Sequence, residues 1–212
     1  MIKKGNLYIF LSILIIIVLT GFSLGPIMSK VETPKFKILS TFNNIEIRAY
    51  KPMLIAEIDV RETRREAISQ GFRSLADFIF GDNIRNDKIK MTAPVVQQSS
   101  EKIKMTAPVV QQSSSQGWKV SFVMPSSYTI HDIPKPLNNE IIIKEIPARK
   151  MAVIKFNGRN EEDNISKYEN KLLKFMEQNN FVHEENPEYA FYNPPWTLPV
   201  LRRNEVMIEI KN

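Results

Sequence analysis

The chain has 212 residues, a formal charge of +6, 43% hydrophobic and 25% charged residues, and no cysteine. That balance belongs to a folded chain rather than a disordered one. The missing thiols exclude disulfides, thiolate metal sites, a cysteine nucleophile and thioether-linked prosthetic groups. Three of the positive charges, Lys3, Lys4 and Lys30, flank an N-terminal apolar segment, so the remainder carries only +3. A nucleic-acid surface is not expected on so small an excess.

The apolar segment comes first. No charged residue lies between Gly5 and Ser29, and Leu7 to Leu24 as a helix would cover about 27 Å, near the hydrocarbon thickness of a bilayer. With Lys3 and Lys4 in front, residues 1–29 are expected to be a signal peptide or a signal-anchor. Gly21 and Ser23 are small enough for cleavage, but no Ala-x-Ala site is present, which favours retention as a transmembrane helix. The positive-inside bias then leaves the folded body outside the cytoplasm, membrane-anchored or exported. Residues 30–40, with Pro34, are expected to form a linker, and 41–212 the domain.

Within the domain, Ile45-Glu46-Ile47-Arg48 alternates as a strand with one buried face. Lys51-Pro52 reads as a turn and Met53–Val60 as a second strand. Thr63 with Glu66 fits a capping box, and Ala67, Ile68, Gly71, Phe72, Leu75, Phe78 and Ile79 share one helical face. Gly81-Asp82-Asn83 ends that helix. The order then recurs: a strand at 141–144, a turn at 147–149 and a strand at 151–156. A second helix follows with Asn160 as a candidate cap and Ile165, Tyr168, Leu172, Phe175 and Met176 as its apolar face. Two strand-like stretches follow each helix, at 88–96 and 118–124, then at 189–192 and 205–210. The predicted class is therefore α+β: duplicated β-β-α-β-β units forming a distorted antiparallel β-barrel or paired sheets with two helices.

A sharper repeat lies inside the first unit. Lys88-Ile89-Lys90-Met91-Thr92-Ala93-Pro94-Val95-Val96-Gln97-Gln98-Ser99-Ser100 returns unchanged as Lys102 to Ser114. Ile, Met, Ala and Val alternate within each copy, so a duplicated strand in a hairpin is expected, with Met91 and Met105 as core. Pro94 and Pro108 belong at an edge, a bulge or a strand end.

The repeated Lys-Ile-Lys-Met-Thr-Ala-Pro-Val resembles the signature of the SOUL/heme-binding family. Trp118–Tyr128 is similar to the strand that follows that signature, and Ile133-Pro134-Lys135-Pro136 to the next turn. Tyr192-Asn193-Pro194-Pro195-Trp196-Thr197-Leu198-Pro199 running into Arg202–Val206 resembles the family's C-terminal block. The resemblance implies a distorted barrel with two helices and non-covalent binding of heme or a related tetrapyrrole as carrier, buffer or sensor.

Heme needs an apolar surface for its ring and cations for its propionates. The candidate binding residues are Arg65, Ile68, Phe72 and Arg73 on the first helix, with Ser69 between the arginines, and Phe191, Tyr192 and Trp196 toward the C-terminus. His131 and His183 both read as exposed loop residues, so no metal ligand is assigned. The chain lacks a Gly-x-Ser-x-Gly elbow, a phosphate loop, a dinucleotide-binding turn and a His-Glu-x-x-His site, and no catalytic residue is expected. Two other readings stay open: a module for a different amphipathic ligand, or an interaction domain with a membrane-associated partner.

Overall fold

A computed structural model describes residues 31–85 and 100–211. The strands are β1 (Phe36–Phe42), β2 (Ile45–Tyr50), β3 (Met53–Val60), β4 (Asn83–Ile84), β5 (Val109–Ser114), β6 (Gly117–Val123), β7 (Lys135–Pro136), β8 (Ile142–Ile146), β9 (Arg149–Phe156), β10 (Glu188–Phe191) and β11 (Asn204–Glu209). Two helices accompany them, α1 (Arg64–Phe80) and α2 (Glu162–Gln178), together with a 3-10 turn at Pro199–Leu201. Nine strands form one antiparallel sheet in the order β1-β2-β9-β11-β10-β5-β6-β3-β8, and β4 and β7 make a separate pair.

The duplication is visible in that order. The run β3-β6-β5 mirrors β9-β11-β10 across the β5–β10 pair, and the first strand of each unit crosses over: β2 pairs with β9, and β8 with β3. Connectivity then dictates curvature. Only Lys51-Pro52 joins β2 to β3, and only Pro147-Ala148 joins β8 to β9, yet five strands separate each of these pairs in the sheet. Three backbone steps reach at most about 11 Å, whereas six strand spacings in a flat sheet span about 29 Å. The sheet must curl until its ends approach, a half-barrel that fits the α+β class where a distorted antiparallel barrel or paired sheets were expected.

The two helices lie on one face of the sheet. Ala67, Leu75, Phe78 and Ile79 of α1 bury against Ala56, Ile58, Val120 and Phe122. Ile165, Leu172 and Met176 of α2 bury against Ala152, Ile154, Val206 and Ile208. Thr63 is the N-cap of α1, but its hydroxyl donates to the Glu66 carboxylate at 2.6 Å and makes no bond to the helix backbone. Glu161, not Asn160, is the N-cap of α2. The Asn160 carbonyl accepts from Arg64 at 2.9 Å, joining the starts of the two helices.

Three expectations change. The linker ends earlier than placed, because residues 36–40 are part of β1, whose Phe36 ring packs 5.1 Å from that of Tyr50. Glu46 and Arg48, expected on a solvated face, are buried on the inside of the curl. In the second copy of the repeat only Val109–Ser114 is strand, with Pro108 immediately before it, so the alternation does not extend to Met105, which is 38% exposed rather than core. Ile103 keeps its place, buried against α1 and β6. The first copy, apart from Ser100, lies outside the described residues, as do Met91 and the N-terminal segment. Among the described residues, no helix is long and apolar enough to cross a membrane.

Candidate functional site

Strand alternation gives this sheet two chemically different faces, and the candidate residues divide between them. On the helix face, Ala56, Phe122, Val109 and Phe191 stand in one cross-strand row. The Phe72 ring of α1 lies edge-on to Phe122, with centroids 5.4 Å apart, and remains 39% exposed. Ile68, one turn earlier, is half-buried against the cluster that contains Phe191. Arg65 and Arg73 stand two turns apart on the exposed flank and line a shallow depression with Ser69. The fold therefore gathers Ile68, Phe72 and Phe191 around one apolar row, with two cations on the adjoining helix flank.

Tyr192 and Trp196 do not join them. Tyr192 follows Phe191 directly and so faces the inside of the curl, where its hydroxyl donates to Glu205 at 2.8 Å. Trp196 is 80% exposed in the loop that leads to β11.

The inner face carries a polar network that alternation alone did not reveal. Arg48 and Glu205 have no exposed side-chain surface and share two hydrogen bonds of 2.9 Å. Arg48 also donates to Glu46 and to the Tyr50 hydroxyl, each at 2.8 Å, while Phe36 places its ring 4.3 Å from the guanidinium carbon. Arg203 reaches Glu205 at 2.7 Å and lies over the Tyr192 ring. Burial opposes ionisation of Glu205, but Arg48 and Arg203 outweigh it and hold the carboxyl below its ordinary value. Burial, followed by the Glu205 charge, pushes the Tyr192 phenol well up. The sequence signal was the Glu46-x-Arg48-x-Tyr50 spacing, three polar groups on one side of an otherwise apolar strand.

Space decides between the faces. The inner cavity lined by Tyr50, Met53, Arg149, Met151, Tyr192 and Met207 measures about 20 Å³, room for one water. A cleft beneath Glu32–Lys35, floored by Leu54, Val123 and Met124, measures about 280 Å³, at the lower limit for a small-molecule site. A tetrapyrrole fits neither as they stand. His131 is exposed and His183 is tied into the sheet margin by a bridge to Ile210. Among the described residues, no group of three or more His, Cys, Asp or Glu side chains is placed to hold a metal.

Two exchanged β-β-α-β-β units closing a curled antiparallel sheet, with both helices on one face, define an α+β class shared with solved structures distant in sequence. The C-terminal domain of EcmrR shares it with a TM-score of 0.53 at 10% identity, over 79% of this chain and 97% of that one. EcmrR in its DNA complex gives a TM-score of 0.54 at 12% identity, over 95% of this chain and 69% of that one. At such identities the likeness concerns the fold alone. The sequence is more specific: the model of the SOUL heme-binding protein family matches residues 31–209, and the chain belongs to that family. Human heme-binding protein 2 is 29% identical over 188 residues, covering 86% of this chain and 87% of that protein. The resemblance drawn from the Lys-Ile-Lys-Met-Thr-Ala-Pro-Val repeat is thereby confirmed.

Proposed function

We propose that this chain binds heme or a related tetrapyrrole non-covalently, on the open ledge where Phe72 crosses Phe122, as a carrier, buffer or sensor. The observation that carries the ligand class is the family match across residues 31–209. The ledge supports the location. The exposed ring of Phe72, backed by buried Phe122, would take one face of the macrocycle, and Arg65 and Arg73 would meet the propionates. Iron ligation by a protein side chain is secondary in this reading, since ring packing and propionate pairing carry the affinity. The chain acts by binding rather than catalysis, and the N-terminal apolar segment tethers it with the domain outside the cytoplasm.

The test is an absorbance titration with hemin and, separately, with metal-free protoporphyrin. A saturable one-to-one transition with similar affinity for both compounds is expected. A flat or non-saturating curve, while albumin responds normally, overturns the tetrapyrrole reading and favours a different amphipathic ligand.

A further inference from the structure

The loop between β10 and β11 exposes four large apolar side chains within six residues: Trp196 at 80%, Leu198 at 62%, Val200 at 74% and Leu201 at 57%. Exposed singly, such residues call for no explanation; grouped on one protrusion they mark a contact surface. The loop is also held in shape. Arg202 donates to the Thr197 carbonyl at 2.8 Å and to that of Pro195, and the Arg203 amide donates to Asn193 at 2.7 Å. From below, the Gly158 amide and the Asn157 side chain bond the Pro199 and Val200 carbonyls at 2.9 and 3.0 Å. These bonds keep the apolar groups turned outward instead of letting them collapse onto the domain.

We infer that this loop is a membrane-contact element that sets Trp196, Leu198, Val200 and Leu201 into the interface of an anionic lipid bilayer. Charge selects that occupant. No acidic residue lies between Asn193 and Asn204. Arg203 shares its charge with Glu205, but among the described residues Arg202 bonds carbonyl oxygens and no carboxylate, so its positive charge is left for a headgroup phosphate. Tryptophan beside aliphatic residues and arginine is the composition favoured at the headgroup boundary. Phe42, 44% exposed at the β1–β2 turn, lies at the same end of the sheet, because Ile45 pairs with Ile154 and Asn204 with Phe156. The apolar run from Leu7 to Leu24, read as an anchor, would bring the domain to the same bilayer. The loop inference is independent of the tetrapyrrole reading.

Full-length chain is mixed with phosphatidylcholine vesicles, with and without phosphatidylglycerol, that carry acyl chains brominated near the headgroup. Trp196→Phe supplies the blank, in which only Trp118 emits. Wild-type emission is expected to shift to the blue and be quenched, with the blank unaffected. Leu198→Asp with Val200→Asp should abolish the quenching, and Arg202→Gln, which also removes two bonds that shape the loop, should weaken it about fivefold more on anionic than on neutral vesicles. Chain that floats with the vesicles while Trp196 stays unquenched overturns the inference and leaves the N-terminal anchor standing. Quenching that survives the double aspartate variant also overturns it. So does a Trp196 that lipid never quenches but that becomes shielded in native membranes, an outcome assigning the loop to a protein partner.

Discussion

The Arg48 guanidinium and the Glu205 carboxylate meet through two parallel hydrogen bonds of 2.9 Å across 157 residues of sequence, with no side-chain surface left to solvent. Removing one partner leaves the other with a single, more exposed counter-ion, Arg203 for Glu205 or Glu46 for Arg48, and breaking a buried pair costs up to about 3–5 kcal/mol. Replacing both by apolar residues leaves neither charge of the pair behind. Arg48→Met and Glu205→Leu should each lower stability in urea unfolding by about that amount, and the double variant by clearly less than their sum. Additive losses would show that the two side chains act separately.

The same network sets a pH dependence. Glu205 and Glu46 are pushed up by burial, yet their cationic partners, Arg48 with Arg203 or Lys155, leave both below the ordinary carboxyl value of 4.5. A group depressed on folding contributes stability that is complete above its unfolded pKa and is lost as pH falls through the folded one. Urea midpoints should therefore hold between pH 7 and 5 and fall below about 4.5. Glu205→Gln should flatten the acid limb, and an unchanged slope would locate the acid sensitivity elsewhere. Tyr50 and Tyr192, raised mainly by burial, add an alkaline limb above pH 10, where phenolate formation favours the unfolded chain.

This network also marks how far the sequence could be read. Helical spacing identified α1 and α2 and most of their buried residues, because a helix on one side of a sheet obeys its own period. Strands β2, β3, β6, β8, β9, β10 and β11 were legible as well, whereas β1 was read as linker and the stretch 88–96 lies outside the described residues. Partner exchange was not: nothing local to Ile45–Tyr50 says that it pairs with Arg149–Ile154 rather than with β3. Once the sheet curls, the polar side of β2 faces inward, and the simple rule that polar means solvated fails for Arg48. Tyr192 was misplaced for a related reason, since adjacent aromatic residues in an extended chain face opposite ways. Phe72 and Phe191 lie on the helix face, Phe72 where helical spacing put it. Gln111 could not be singled out, although its side chain donates to the Arg64 carbonyl at 2.7 Å and fixes the start of α1 to β5.

Gly71 offers a test of how tightly α1 sits on the sheet. A Cβ built at this position would lie 2.6 Å from the Val120 Cβ and 2.7 Å from its Cγ2, and Val120 is fully buried. Alanine is the better helix former by up to about 1 kcal/mol, but overpacking a filled core costs about 1–3 kcal/mol. Crowding should win, so Gly71→Ala is expected to lower the melting temperature. Gly71→Ala combined with Val120→Ala should recover part of the loss. An increase in Tm for the single variant would show that α1 can lift from β6 without penalty.

The ledge reading separates two sets of residues by their expected effect on tetrapyrrole binding. Phe72 is partly exposed, so Phe72→Ala should disturb the fold little while removing the edge on which the ring would lie. Loss of one such aromatic contact should weaken hemin and protoporphyrin binding alike, by about tenfold for roughly 1.4 kcal/mol. Arg65→Gln and Arg73→Gln should weaken both compounds too, and more so at low ionic strength, because the interaction with propionates is electrostatic. His131→Ala and His183→Ala should leave the position of the hemin Soret band unchanged, since neither imidazole is placed at the ledge. A Soret shift lost specifically in a histidine variant, with Phe72→Ala unaffected, would move the binding site away from α1.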